Sequence, residues 1–344
     1  MKAHWMTSSK DMKRYDYLFP QIISKENLYK AEKKARKGKT KSKGVQWFDK
    51  HPDEYIDQLH EDLKYGRYKT SEYKVFTIYE PKERIIYKLP YYPDRIVHHA
   101  VMNIMEPIWT KIFIKNTYSC IKGRGIHKAV NDIKNDLRKD KNGTKYCLKL
   151  DIRKFYPSID HEILKSIIRK KIKDVRLLKL LDEIIDSTNG VPIGNYLSQF
   201  FANLYLTYFD HWLKEDKKCK YYYRYADDIV ILSDNKEFLH SLILEIIDYL
   251  DTNLKLKVKD NWQIFEIDSR GLDFSGYVFR HEYTRVRKTI KNNIFKKVIH
   301  YSKTKYTTRD RRISIASYFG WLQYCNNKRL KLKLNTYYNE QIFI

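Results

Sequence analysis

Apolar and polar residues alternate most cleanly in Cys147-Leu148-Lys149-Leu150-Asp151-Ile152, the pattern of a half-buried strand with a carboxylate near its end. Farther on, Tyr221 to Tyr225 and Ile229 to Leu232 are β-prone runs of aromatic and branched residues, separated by Ala226-Asp227-Asp228. Consecutive Asp residues suit a turn, so this segment predicts a hairpin with two carboxylates at its tip. A second hairpin is predicted from 74–79 and 84–87, and an alternating strand from 254–259. Helical spacing covers 27–37, with Ser24 as its N-cap, then 51–66, and 94–112, with Pro107 as a kink or break. Further helices follow the basic Gly123-Arg124-Gly125 turn and fill 160–187, which Asn189-Gly190-Val191-Pro192 closes. The remaining helices are predicted at 194–213, opened by Gly194, then at 238–250 and across the basic segment 288–344. Strands alternating with helices in this way give an α+β class.

An acidic pair by itself is most simply a solvated turn, because Asp favours turns for local hydrogen-bonding reasons. A third acid changes the reading. If the Asp151 strand pairs with the hairpin, Asp151, Asp227 and Asp228 converge on one sheet edge. Such carboxylates repel one another and remain ionised only beside positive charge, and hard oxygen ligands at this spacing suit Mg²⁺. Two Mg²⁺ ions about 3.5–4 Å apart need such a cluster to activate a 3′-hydroxyl and stabilise leaving pyrophosphate. The three acids are therefore candidate metal ligands for phosphoryl transfer.

Composition adds a partner. Lys+Arg number 68 against 42 Asp+Glu, a net charge of +26, which is the balance of a protein that lies along a polyanion. Aromatic residues make up 15%, with 30 Tyr among the cations, and rings stack on unpaired bases. Low-GC codon bias accounts for most of the Tyr count but not for the excess of cations. The run Lys33, Lys34, Arg36, Lys37, Lys39, Lys41 and Lys43 reads equally as a solvated helix end or as an RNA-backbone contact. The 344 residues, 42% hydrophobic, suffice for a large core. No signal pattern or long apolar run is visible, so no membrane association is expected and a cytoplasmic location is. Cys120, Cys147, Cys219 and Cys325 have no C-x-x-C spacing and read as reduced thiols. Gly123-x-Gly125 lacks the third glycine and preceding strand of a dinucleotide fingerprint.

Several motifs occur together in order. Pro81-Lys82-Glu83-Arg84-Ile85-Ile86 and Arg95-Ile96-Val97-His98-His99-Ala100 precede Leu150-Asp151 and Tyr156-Pro157-Ser158-Ile159-Asp160. Val191-Pro192-Ile193-Gly194-Asn195-Tyr196-Leu197-Ser198-Gln199, Tyr225-Ala226-Asp227-Asp228 and Gly271-Leu272-Asp273-Phe274-Ser275-Gly276-Tyr277 follow. This series, over roughly 80–280, resembles the fingers and palm motifs of bacterial reverse transcriptases. The resemblance implies a right-hand polymerase with a ferredoxin-like palm: fingers at 1–145, palm at 146–285 and a short helical thumb at 286–344, anchored by Tyr318-Phe319-Gly320-Trp321-Leu322. It implies RNA-directed DNA synthesis from an RNA template into nascent cDNA, using deoxynucleoside triphosphates and two Mg²⁺ ions, for which Mn²⁺ substitutes. Asp151, Asp227, Asp228 and the Ile152 carbonyl would hold the ions, and Lys259 would protonate departing pyrophosphate. Lys82 and Arg84 would neutralise the triphosphate, with Ile193, Gly194, Ser198 and Gln199 lining the nucleotide site. Tyr156 would block a 2′-hydroxyl, its alternative being a core aromatic, and Phe274, Ser275, Gly276 and Tyr277 would grip the primer. No appended RNase H, integrase or nuclease domain is expected.

Within that family, Ile193 where many relatives carry Gln, and Ser198-Gln199 where they carry Ser-Pro, resemble the diversity-generating retroelement branch. Its members copy a template repeat with errors opposite adenine, generally beside a small basic accessory protein. The alternatives are an antiviral-defence or other bacterial reverse transcriptase with a structured non-coding RNA, and a non-catalytic RNA-binding scaffold. A retron reading is weaker, since no Asn-Ala-x-x-His lies between Gly123 and Val191. Tyr156 and the Tyr-Ala-Asp-Asp form favour deoxynucleotides over ribonucleotides.

Overall fold

The protein is described here from a computed structural model that covers residues 14–79, 83–302, 313, 316–318 and 320–336. The chain forms two compact units. The first comprises Met1–Lys115, Ile152–Asp216 and Ile246–Val258, and the second Asn116–Asp151, Lys217–Glu245 and Lys259–Ile344.

The first unit is mainly helical. Ser24 caps the Lys25–Ala35 helix, its hydroxyl accepting from the Asn27 N–H, so the helix starts two residues before the predicted span. Leu28, Ala31 and Ala35 form its buried stripe against the Ile96–Thr110 helix, and Asn27 Nδ2 bridges the Ile22 and Ala100 carbonyls at 2.8 and 3.0 Å. The second of these helices runs through Pro107 without ending. It also begins later than its pattern suggests, because Asp94 is buried as acceptor for Tyr68 Oη at 2.9 Å and the Ser71 N–H at 3.1 Å. The hairpin β1 (Lys74–Ile78) and β2 (Arg84–Lys88) forms as expected.

Two long predicted helices are interrupted. Residues 160–187 divide into His161–Arg169 and Val175–Ile185 because Asp174 caps the second, accepting from the Arg176 and Leu177 N–H groups. Its other oxygen takes the Leu18 and Phe19 N–H groups at 2.8 Å each, so one carboxylate fixes two segments far apart in sequence. Residues 194–213 divide into Tyr196–Tyr205, Thr207–His211 and a wide turn at Trp212–Asp216, with Asn195 rather than Gly194 at the N-cap.

The second unit holds a four-stranded antiparallel sheet of β3 (Tyr146–Asp151), β4 (Tyr221–Tyr225), β5 (Asp228–Ser233) and β6 (Gln263–Glu266), ordered β4-β5-β3-β6. With helices after β3 and β5, this is the ferredoxin-like order and the α+β class expected. The strand predicted at 254–259 is a correction. Leu254 ends the Lys236–Leu254 helix, Lys255 turns the chain at φ 51°, and only Val258 makes a bridge, to Ile152. A three-stranded sheet follows, of β7 (Leu272–Phe274), β8 (Tyr277–Phe279) and β9 (Thr284–Val286). Beyond it, Ile294 and Val298 of the Lys288–Ser302 helix pack with Leu322 and Leu334. No helix among the described residues is long and apolar enough to cross a membrane.

The Ile126–Lys139 helix packs Val130, Ile133 and Leu137 into the core beside Tyr223 and Val230. Next to that apolar stripe runs a polar one. Tyr118, Tyr223 and Tyr221 donate their phenol protons to Asp132, Asp136 and Asp140 at 2.9, 2.6 and 2.6 Å, acceptors spaced one helical turn apart. Burial, then the Asp136 bond, pushes the Tyr223 phenol far above its ordinary value. Tyr223→Phe leaves Asp136 without its donor and is expected to cost about 1.5–3 kcal/mol, the scale of a hydrogen bond to a charged group. Urea unfolding measures it, and a cost near zero would mean that water replaces the bond without loss.

Candidate functional site

Antiparallel register places Asp151, the last residue of β3, directly opposite Asp228, the first of β5. Asp227 stands between the hairpin strands after Ala226, whose φ of 54° is left-handed and sterically unusual for a residue with a Cβ. Arg224 stabilises that backbone. Its guanidinium is fully buried and donates to the Ala226 carbonyl at 3.1 Å, while its own backbone bonds to Asn116 and Tyr118 at 3.0 Å on both sides. The three acids therefore converge as expected, with Asp228 in the strand rather than in the turn.

Cations surround them. The Lys259 N–H donates to the Asp151 carbonyl at 2.9 Å, and Lys259 Nζ lies 2.6 Å from Asp151 Oδ1 as an ion pair. Lys149 shares the Asp151 face of β3 and places Nζ 3.9 Å from Asp228 Oδ1, while donating to the Asp273 carbonyl. Arg287 pairs with Asp273 through Nε at 2.8 Å. Sequence reading missed Arg224 and Lys149. Its available signals were a cation inside a run of buried aromatics and a Lys two residues before the key acid.

Positive neighbours do not fully compensate the acids. Burial pushes the Asp228 carboxyl up to about 7, with the Asp151 and Asp227 charges adding to the effect and Lys149 opposing it. Asp227 is also raised, first by burial and then by the charge of Asp151. Among the described residues, Asp228 Oδ1 is buried and accepts no hydrogen bond, while Asp151 Oδ1 is buried against Lys259 Nζ. No three Asp, Glu, His or Cys side chains among those residues are drawn together tightly enough to form a ready metal cage. The donor set nevertheless fits a hard divalent cation, since facing carboxylates, one of them with a buried oxygen free of hydrogen bonds, are what such an ion binds.

The remaining candidates are distributed over both units. In the first, the Ile193 carbonyl accepts from the Tyr87 N–H at 2.9 Å, which joins the candidate nucleotide loop to β2, where exposed Arg84 is the first residue. Gly194 permits that approach: its φ is 127°, and a Cβ there would lie 2.6 Å from the Tyr87 carbonyl oxygen. Tyr156 is half-buried against Phe155, and its carbonyl accepts from the Val191 N–H at 2.9 Å. Ser198 is buried in the Tyr196–Tyr205 helix, Gln199 is exposed, and buried Ile152 bridges Val258. Lys82 lies outside the described residues.

A cavity of about 630 Å³ in the same unit is lined by Lys39, Lys43, Lys74, Lys88 and Arg95 together with Phe76, Tyr87 and Tyr91. Arg95, then burial and Lys88, holds the Lys39 ammonium below its ordinary value. Part of the basic run thus belongs to a cationic concavity with aromatic walls.

In the second unit, Phe274 ends β7 and Tyr277 opens β8, and the tight turn between them consists of Ser275 and Gly276 at φ 47° and 88°.

A raised folded-state value means that the native protein holds that proton more tightly than the unfolded chain. For Asp228, the contribution to stability therefore grows as pH falls through about 7 toward the ordinary 3.8 and is lost above 7. Asp228→Asn should consequently raise the melting temperature at pH 8 in the presence of a chelator. The gain should shrink by pH 5, and scanning fluorimetry at the two pH values checks it. A lower melting temperature at pH 8 would show that Lys149 and Arg287 already compensate the charge.

The family profile described as "Reverse transcriptase (RNA-dependent DNA polymerase)" matches residues 79–279, more than half of the chain. Protein YkfC of Escherichia coli K12 is 25% identical over 214 residues, covering 49% of this chain and 56% of its own length. The group II intron-encoded protein LtrA of Lactococcus lactis is 26% identical over 219 residues, with coverage of 59% and 35%. The retron Ec73 reverse transcriptase of Escherichia coli is 29% identical over 184 residues, with coverage of 49% and 52%. The chain thus spans between about a third and somewhat over half of these relatives' lengths. Facing Asp151 and Asp228, the acidic hairpin tip and the extent of the profile match agree: the chain belongs to the reverse transcriptase family.

Proposed function

We propose that the protein is an RNA-directed DNA polymerase that extends a primer along an RNA template by two-metal nucleotidyl transfer. The observation that carries this reading is the register of β3 against β5, which sets Asp151 opposite Asp228 beside Asp227 in a chain of this family. Asp151, Asp227 and Asp228, with the Ile152 carbonyl, would hold two Mg²⁺ or Mn²⁺ ions. When bound, such ions activate a 3′-hydroxyl and stabilise the charge of the leaving pyrophosphate. The side chains do the rest. Lys259, held against Asp151, is the proton donor for pyrophosphate. Arg84, with Lys82, neutralises the triphosphate, Arg being the better bidentate partner. Tyr156 closes the sugar pocket to a 2′-hydroxyl, and Ile193, Gly194, Ser198 and Gln199 shape the base and sugar site. Residues 1–145, 146–285 and 286–344 are read as fingers, palm and thumb. The cationic, aromatic-walled cavity supports a single-stranded RNA template as partner. A cytoplasmic location goes with that partner and with four free thiols.

Within this activity, the reading is an error-prone enzyme of a diversity-generating retroelement with a small basic accessory protein. Ile193 supports it. Its carbonyl is occupied by the Tyr87 N–H, so the residue presents only an apolar, half-buried side chain where Gln would present an amide. A defence or other bacterial reverse transcriptase with a dedicated structured RNA is the second reading, and similarity to the retron Ec73 enzyme favours it. A non-catalytic scaffold has no need for three mutually repelling acids at one sheet edge.

One experiment tests both levels. Wild type, Asp227→Asn and Ile193→Gln each copy a defined RNA in Mg²⁺, and the cDNA is quantified and deeply sequenced. Asp227→Asn should retain its fold and lose synthesis; extension above a few per cent of wild type would refute the catalytic assignment. Ile193→Gln should lower the error rate about tenfold, the scale of one added hydrogen bond, most visibly opposite template adenine. Wild-type errors that are rare or evenly spread over the four bases would leave a generic reverse transcriptase.

A further inference from the structure

A single phenol joins the two ends of the candidate nucleotide loop. Ser187 and Asn195 bracket the stretch that carries Ile193 and Gly194, and Tyr73, the residue before β1, reaches both. Tyr73 Oη lies 2.8 Å from Ser187 Oγ, and Asn195 Nδ2 donates to Tyr73 Oη at 3.4 Å. The far end of this chain sets its direction. Ser187 has one hydroxyl proton, which goes to the Ile184 carbonyl at 2.7 Å, so Tyr73 donates to Ser187 and its oxygen accepts from the Asn195 amide. Asn195 gives up an ordinary role to take part. It stands at the N-cap of the Tyr196–Tyr205 helix, where an Asn side chain usually accepts from an N–H of the first turn, yet its buried side chain makes no cap hydrogen bond.

Tyr73 is held from its own side as well. Its ring meets the Tyr87 ring edge-on at 5.8 Å, and the Tyr87 N–H is the donor to the Ile193 carbonyl. Glu183 ties down the chain before it, accepting from the Thr70 N–H at 3.2 Å and pairing with Lys69, and Asp94 accepts from the Ser71 N–H. Burial pushes the phenol above its ordinary value, so it keeps the proton that it donates. Between its two ends the loop touches the candidate sugar gate. Gly190, at φ 61°, packs so closely that a Cβ would lie 2.7 Å from the Tyr156 carbonyl oxygen and 2.6 Å from that of Pro157, and the Val191 N–H donates to the Tyr156 carbonyl. A displacement of the loop is therefore a displacement of Tyr156 as well.

We propose that Tyr73 is a positioning residue for sugar selection: its hydroxyl clamps both ends of the 187–195 loop and so holds Ile193, Gly194 and Tyr156 at the spacing that admits a deoxynucleotide and excludes a 2′-hydroxyl. This rests on the polymerase reading and on Tyr156 as the gate. Tyr73 acts through the loop rather than on the nucleotide. Losing its hydroxyl leaves the ring packed on Tyr87 but frees Ser187 and Asn195 to move apart, which loosens the deoxynucleotide and widens the sugar pocket together.

Two measurements separate the clamp from the activity. Hydrogen exchange followed by mass spectrometry needs no turnover: in Tyr73→Phe, peptides over 187–195 should exchange about 5- to 10-fold faster, the scale of one lost hydrogen bond, with β3 and β5 unchanged. Single-nucleotide incorporation from ribo- and deoxyribonucleoside triphosphates reads the consequence. Tyr73→Phe should lower the deoxy-over-ribo ratio of kcat/KM about 3- to 10-fold, through a higher KM for the deoxynucleotide and readier ribonucleotide entry, with kcat for the deoxynucleotide within about 2-fold. Ser187→Ala, which removes the acceptor and leaves Tyr73 in place, should move the ratio the same way. The double variant Tyr73→Phe/Asn195→Ala should have a ratio no lower than Tyr73→Phe, since the amide has already lost its acceptor. A merely structural defect would lower kcat/KM alike for both sugars. Unchanged exchange in the loop, an unchanged ratio in Tyr73→Phe or Ser187→Ala, or additive losses in the double variant would overturn the proposal. Failure of the wild type to extend any primer would instead refute the polymerase reading, and the exchange rates would still decide whether the clamp exists.

Discussion

Antiparallel pairing of β3 with β5 is the constraint on which the rest of the site depends. One register step the other way would turn Asp151 from its present face, because side chains alternate along a strand. In the register adopted, two carboxylates face each other at the sheet edge and a third stands at the adjoining turn. Hydrophobic residues fix that register: buried Cys147, Leu148 and Leu150 lie opposite buried Leu232, Ile231 and Ile229. Packing free energy thus holds together charges that would otherwise separate, and its consequence is the upward push on the Asp227 and Asp228 carboxyls.

The cations around the site divide the work. Lys259 meets Asp151 through both backbone and side chain, which ties the chain after Val258 to the end of β3. Lys149 and Arg287 converge on Asp273 and so connect β3 to the β7-β8-β9 sheet. Buried Arg224 acts on backbone instead, holding the left-handed Ala226 that lets Asp227 stand out from the hairpin. Each of these side chains supports an acid without being one.

Much of this arrangement was legible in the sequence, for identifiable reasons. Period-two alternation into Asp151 and the β-prone runs around Asp227 and Asp228 each have one dominant reading, and the strands formed where that reading put them. Local pattern failed where a tertiary contact decided the outcome. Asp174 interrupts the 160–187 helix because it is needed by the N–H groups of Leu18 and Phe19, more than 150 residues away. Alternation at 254–259 did not make a strand, because Leu254 belongs to the preceding helix and β6 lies later, at Gln263–Glu266. Arg224 carries no motif. Its importance comes from the backbone that it touches.

The facing acids are proposed to form a two-ion polymerase site. Mn²⁺ titration followed by electron paramagnetic resonance, with the protein bound to an RNA template, a 3′-deoxy-terminated primer and the next complementary nucleotide, tests it most directly. Two tightly held ions per chain, with spin coupling between them, are expected, with loss of both in Asp151→Asn. No binding above that of the nucleotide alone, or equal binding in wild type and Asp151→Asn, would contradict it.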